Sequence, residues 1–266
     1  MKGHFYSVKK ILMATLLLLT LLTTSCGGNS NKITKIVIGV DDEFAPICFY
    51  NERNKLVGFD VDLAQEAASR MNAVVEFKSI DWDNKKEEIT SGNIDMIWNG
   101  LDITEERKEY MIFTKPYMLD RQVVLIKRGS NVDIYSETDL KGKIVGVQAG
   151  STSDDYLSQN ENLIDSFKEY RTYGKFIEVV SALRNDEIEV IVCDELVARY
   201  EVNKTPKQLE LLNVKIGSIA EMAVGFRKDN VELRDKVQEV FDEMVKDGTA
   251  KKISEKWFQA DVIEKR

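Results

Sequence analysis

The chain has 266 residues, 45 acidic against 37 basic side chains and a net charge of −8, an acidic balance that argues against nucleic acid as a partner. Its single histidine, His4, stands near the N-terminus, so a Ser/His or Cys/His nucleophile pair and a histidine-ligated metal are excluded from the rest of the chain. Cys26, Cys48 and Cys193 have no CxxC spacing, which indicates neither a zinc site nor a disulfide framework; Cys48 and Cys193 are two free thiols or one bridge.

Residues 1–25 read as a targeting segment. Lys2, Lys9 and Lys10 form a basic start, Ile11 to Leu22 is an apolar run too short to span a membrane comfortably, and Thr23-Thr24-Ser25 lead to Cys26. Gly27 to Asn31 then reads as a flexible tether. Loss of residues 1–25 removes three basic residues and no acidic one, so the mature chain is more acidic still.

From Lys35 onward short apolar runs alternate with amphipathic stretches, the pattern of an α/β protein. Strands are predicted over 36–40 and 74–77, separated by a helix from Asp60 to Met71 whose Leu63, Ala67 and Met71 share one face. A strand over 94–98 is broken by Asn99-Gly100, and a helix begins at Glu105 with Thr104 as its N-cap. A strand from Gln122 to Lys127 opens a second domain of the same style. Lys143 to Val147 is its next strand, Gly150-Ser151-Thr152 a turn and helix cap, Phe176 to Leu183 a helix and Val190 to Cys193 a strand. A last strand at Ala223 to Phe226 precedes the helix Val231 to Lys246, which carries Val237, Val240, Phe241 and Met244 and stops at Gly248.

Two charged positions stand out. Arg107 falls in the first turn of its helix, where the partial positive charge of the N-terminus disfavours a cation. Either it pairs with Glu105 or Glu106 in solvent, or it and the free N–H groups of a helix end face a bound anion, a small carboxylate being the candidate. Asp194 follows the run Val190 to Cys193 at the C-terminal end of a strand, where open α/β sheets hold ligands; it could equally cap a helix starting at Glu195.

Gly58-Phe59-Asp60-Val61-Asp62-Leu63-Ala64 resembles the signature segment of the family 3 solute-binding proteins, the polar-amino-acid receptors of ABC importers. Five further segments resemble that family in the same order: Ile94 to Arg107, Phe113 to Tyr117, Val147 to Thr152, Cys193 to Glu195 and Ala223 to Lys228. The resemblance implies a type II periplasmic-binding-protein-like α/β fold, two lobes joined by two hinge crossovers with a ligand cleft between them. Residues 35–119 with 222–266 would form lobe 1 and 120–221 lobe 2. It also implies a non-catalytic receptor, monomeric and extracytoplasmic, that uses no cofactor or metal. Such a receptor binds a polar or basic L-amino acid and passes it to a permease and ATPase. The N-terminus is similar to a lipoprotein signal peptide, although Thr23 stands where Leu is usual. Cys26 would then carry lipid, residues 26–34 would be the lipidated cysteine and tether, and the protein would be anchored to the membrane. Relatives of the same fold include dehydratases for prephenate- or arogenate-like substrates and sensory amino-acid modules, which are the alternatives.

The resemblance assigns the ligand carboxylate to Arg107, Asp102 and Thr152, and the ammonium to Asp194, Gly100 and Asp102. Asp41, Phe44, Trp82, Asn99, Gln148 and Ser151 are assigned to the side chain. Simple N-capping is the plain alternative for Ser151 and Thr152, a surface-to-core anchor for Trp82, and a cap of the Asp42-Glu43 turn for Asp41. Asp102 departs from the family's usual Thr or Ser and would either help to hold the ammonium or form a salt bridge to Arg107. Together Asp41, Asp102 and Asp194 tilt the expected ligand toward basic amino acids, with glutamine and cystine open.

Overall fold

In a computed structural model of the chain, residues 34–264 are described; the targeting segment, Cys26 and nearly all of the tether lie outside the described residues. Strand β1 (Thr34–Val40) is followed by a small antiparallel sheet of β2 (Glu43–Phe44), β3 (Cys48–Tyr50) and β4 (Leu56–Val57). Helix α1 (Phe59–Arg70), β5 (Ala73–Ser79), a 3-10 turn at Trp82–Asn84, α2 (Lys85–Thr90), β6 (Met96–Ile97), α3 (Glu105–Tyr110) and β7 (Met111–Phe113) complete the first pass. The second lobe is made of β8 (Met118–Lys127), β9 (Ile144–Gln148), α4 (Thr152–Ser158), α5 (Glu161–Ile164), β10 (Glu169–Tyr173), α6 (Phe176–Arg184), β11 (Val190–Asp194), α7 (Glu195–Lys204) and β12 (Leu209–Met222). The chain then returns through β13 (Gly225–Arg227) to α8 (Val231–Lys246) and α9 (Thr249–Phe258).

Two five-stranded mixed sheets result, in the orders β5-β1-β6-β13-β7 and β10-β9-β11-β8-β12. Ile36, Ile38 and Val40 of β1 are buried, as are Phe59, Leu63, Ala64 and Ala67 of α1 and Val237, Val240, Phe241 and Met244 of α8. Those helices cover the sheet because their apolar residues recur every three to four positions. No described helix is long and apolar enough to cross a membrane.

The strand expected over 94–98 shrinks to two residues. Asp95 accepts the Val37 N–H on its carboxylate at 2.8 Å, so a side chain replaces one rung of the ladder. The strand expected from Gln122 begins at Met118 instead, since Met118, Asp120 and Gln122 are buried at alternate positions. Where the chain passes between sheets, Tyr117 N–H donates to the Met222 carbonyl and Ala223 N–H to the Leu101 carbonyl, both at 2.9 Å. The two passages therefore lie side by side next to Asp102, whose backbone bridges to Met222.

Candidate functional site

Between the two sheets lies a cleft of about 430 Å³, lined from the first by Asp41, Phe44, Trp82, Asn99, Gly100 and Arg107, and from the second by Gln148, Ser151, Thr152 and Asp194. Every ligand-site residue singled out in the sequence except Asp102 is on this wall. Ser153, Phe176, Val192 and Cys193 line it as well.

Arg107 is anchored through its backbone: Thr104 caps α3, its hydroxyl accepting the Arg107 N–H at 3.2 Å. The side chain is 2% exposed and does not pair with Glu105 or Glu106 in solvent. Nη1 donates to the Asp102 carbonyl at 3.0 Å and to Thr152 Oγ1 at 3.3 Å, and Nη2 to the Gly150 carbonyl and Asp155 Oδ2, both at 3.2 Å. Nε is buried and has no hydrogen-bond partner among the described residues. The cation that looked misplaced in the sequence is thus met by oxygens from the opposite lobe. Gly150 adopts φ +65, and a Cβ there would come within 2.9 Å of Lys85 Nζ; glycine lets Lys85, itself buried, donate to the Gly150 carbonyl at 2.7 Å. Burial, and then the Arg107 charge, pull the Lys85 ammonium down to about 8.

Carboxylates gather behind Asp194, the one of the three that lines the cavity. Asp102 and Asp120 are buried, Asp194 is partly buried, and one oxygen of each lies within 4.8 Å of the others. Gln122 Nε2 donates to Asp120 at 2.9 Å and to Asp194 at 2.7 Å, and Ser153 donates in turn to Gln122 Oε1. Asp102 Oδ1 and Asp120 Oδ1 have no partner among the described residues. Burial raises all three carboxyls; Asp194, pushed further by the Asp102 charge, reaches about 7. A Thr152 hydrogen bond and the Arg107 charge pull Asp102 the other way. Three carboxylates this close, two of them with an unsatisfied oxygen, suit one compact cation such as an ammonium group. Asp102 gives Arg107 its backbone carbonyl, not a salt bridge, for the ion-pair partner is Asp155. Asp194 occupies the N-cap position of α7 without a side-chain cap bond, its carboxylate going to Gln122.

Gly100, at φ +60, turns the chain in the left-handed region and donates its N–H to Asp60 at 2.7 Å, where the Tyr117 hydroxyl also donates at 2.8 Å. The signature residue Asp60 therefore holds the turn behind the cleft. Phe44 meets Phe176 edge-to-face at 5.6 Å, and Trp82 is buried on the same cavity. Asp41 accepts the Glu43 N–H at 3.0 Å, the turn bond foreseen as its plain alternative, together with Gln148 and Lys175. Ser151 caps α4 by accepting the Asp154 N–H at 3.1 Å. Both Cys48 and Cys193 are free and buried.

Asp120, Gln122, Ser153, Phe176, Lys85 and Lys175 were not foreseen. Asp120 and Gln122 carry a legible signal: polar residues two apart on a strand share a face, and here they alternate with Arg121 directly before the apolar run Val123 to Ile126. Phe176 is indistinguishable in sequence from a core residue opening its helix, and the two lysines look like surface charges.

Two α/β lobes around a cleft lined by a buried guanidinium and by Asp194 of a carboxylate cluster define a two-lobed solute-binding protein of the type II periplasmic-binding fold. A model of the bacterial extracellular solute-binding proteins, family 3, matches residues 36–260, and the chain belongs to that family. The L-cystine-binding protein TcyJ of Escherichia coli (strain K12) is 34% identical over 238 residues, 88% of each chain. Among solved structures, an ABC uptake transporter substrate-binding protein from Streptococcus pneumoniae with bound histidine superposes with a TM-score of 0.81 at 35% identity, over 87% of this chain and 95% of that one. An ancestral arginine-binding protein bound to arginine gives 0.79 at 36% identity, over 84% and 98%. These relatives are binding proteins, not enzymes, and so is this chain.

Proposed function

We propose that the protein captures a polar L-amino acid outside the cytoplasm and delivers it to the permease and ATPase of an ABC importer, acting as a monomer held to the membrane by lipid on Cys26. The observation that carries the ligand class is the coexistence of unsatisfied groups of both kinds: a buried donor at Arg107 Nε, and buried acceptors at Asp102 Oδ1 and Asp120 Oδ1 in the cluster that reaches the cavity at Asp194. A free amino acid supplies what each lacks, a carboxylate for the guanidinium and an ammonium for the acids. Arg107 and the Thr152 N–H would hold the carboxylate, Asp194, Asp102 and the Gly100 carbonyl the ammonium, and Phe44, Trp82, Asn99, Gln148, Ser151 and Asp41 the side chain. Residues 35–119 with 222–266 would move as one lobe and 120–221 as the other, closing on the ligand as a hinge. The relatives that bind cystine, histidine and arginine support an amino-acid ligand.

A thermal-shift screen of the mature protein against the twenty amino acids plus ornithine, citrulline and cystine tests the reading. At least one is expected to raise the melting temperature in a concentration-dependent way; none doing so would overturn it. Replacement Cys26→Ala is expected to move the protein from the membrane to the soluble fraction.

A further inference from the structure

The side-chain end of the cleft is bordered by a cation, Lys175, paired to the lining residue Asp41. Asp41, 1% exposed, lines the cavity, and its carboxylate already has three donors. Oδ1 accepts the Glu43 N–H at 3.0 Å and the Lys175 ammonium at 3.2 Å, while Oδ2 accepts Gln148 Nε2 at 2.7 Å. Lys175 immediately precedes α6 in the second lobe and Asp41 immediately follows β1 in the first, so the pair spans the cleft. The same ammonium donates to Asp42 Oδ1 at 3.1 Å. Two of its three N–H donors are thereby used, and the carboxylate of Asp41 has three of its roughly four lone-pair positions filled.

A guanidinium or ammonium at the end of a ligand side chain would have to share Asp41 with Lys175 and sit close to a like charge. An end group bearing both an acceptor and a donor meets no such conflict. Its oxygen takes the third Lys175 N–H, and its N–H takes the remaining lone pair of Asp41. The three-acid expectation of a basic ligand counted Asp41 as uncompensated; the Lys175 ammonium, shared with Asp42, offsets part of that charge and occupies the carboxylate.

We propose that Lys175 sets the side-chain specificity of this protein, selecting ligands whose far end carries an acceptor together with a donor, a carboxamide or a second α-amino-acid head group, against those ending in a lone cation. The proposal rests on the amino-acid reading of the cleft. Calorimetric titration of the mature protein with glutamine, cystine and arginine, repeated on Lys175→Met and Lys175→Arg, tests it, with thermal melts to confirm that both variants fold. The wild type is expected to bind glutamine or cystine at least about tenfold more tightly than arginine. Lys175→Met is expected to gain about tenfold for arginine while losing affinity for the other two, and Lys175→Arg to keep the wild-type order. Arginine as the tightest wild-type ligand, or a Lys175→Met effect equal on all three, would overturn the role of Lys175 and leave the amino-acid reading standing. No binding of any of the three to the wild type or to either variant would overturn the role of Lys175, while the amino-acid reading falls only if the full thermal-shift screen is blank as well.

Discussion

Arg107 has four bonds to protein oxygens and one buried N–H without a partner, so its removal does two things at once. On the proposed reading it strips the cleft of the partner for a ligand carboxylate, and it leaves Asp155 without its cross-cleft counter-ion. Arg107→Ala is expected to weaken amino-acid binding by about 3 kcal/mol or more, as when one member of a buried charged pair is deleted, while the far-ultraviolet dichroism stays that of a folded protein. Asp194→Asn keeps the shape and removes the charge, and a loss of roughly 2 kcal/mol in calorimetric affinity is expected; an unchanged affinity would take Asp194 out of the ammonium site. The same residue predicts a pH dependence. Its carboxyl is raised to about 7 from an ordinary 3.8, so the folded protein keeps a proton that the unfolded chain has released. That contribution to stability is fully present below about 4 and is lost as pH rises through about 7. Wild type should therefore lose melting temperature relative to Asp194→Asn between those limits, and a saturating amino acid should restore part of it by supplying an ammonium.

At the scale of elements, the cleft is shaped by turns more than by the regular structure behind them. Gly100 follows the two-residue strand β6, and its N–H is held by Asp60, which reaches from α1 and also receives the Tyr117 hydroxyl. Asp60→Ala leaves two buried donors unpaired and is expected to cost roughly 2–6 kcal/mol of unfolding free energy by denaturant titration, at about 1–3 kcal/mol per orphaned group. Recovery of most of that loss in Asp60→Asn, whose amide oxygen can still accept, would confirm the bonds as the cause. Elements with a strong apolar period were legible: α1, α6, β11 and α8 lie within a residue or two of their expected bounds. Strands β10 and β12 were not, because Glu169 to Tyr173 has no buried residue and Leu209 to Met222 has several exposed ones. Their place comes from pairing, β10 on β9 and β12 on β8, which no local pattern encodes.

At the scale of the whole molecule, the bonds that cross the cleft decide what the site is. Arg107 and Lys85 reach from the first lobe to the Gly150 carbonyl, and Gln148 and Lys175 reach back to Asp41. A ligand touching both lobes adds to this set and shifts the population toward closure. A ligand at a hundredfold over its dissociation constant should raise apparent stability by about 2.7 kcal/mol, read as a higher denaturant midpoint. By itself the sequence determined the α/β class and, through local geometry, a few cleft positions, because a Gly or Asp at a strand end and a Thr at a helix start are demanded there; the family resemblance supplied most of the others. Arg107 and Asp194 could be named from such positions, and Phe44 and Trp82 only through the family resemblance. Only the tertiary structure decided which charges are already compensated. Asp155 and Arg107 stand 48 positions apart in the chain, and Lys175 and Asp41 stand 134 apart. A long-range ion pair leaves no periodicity in the sequence, and burial, which makes that pair matter, exists only once the lobes face each other.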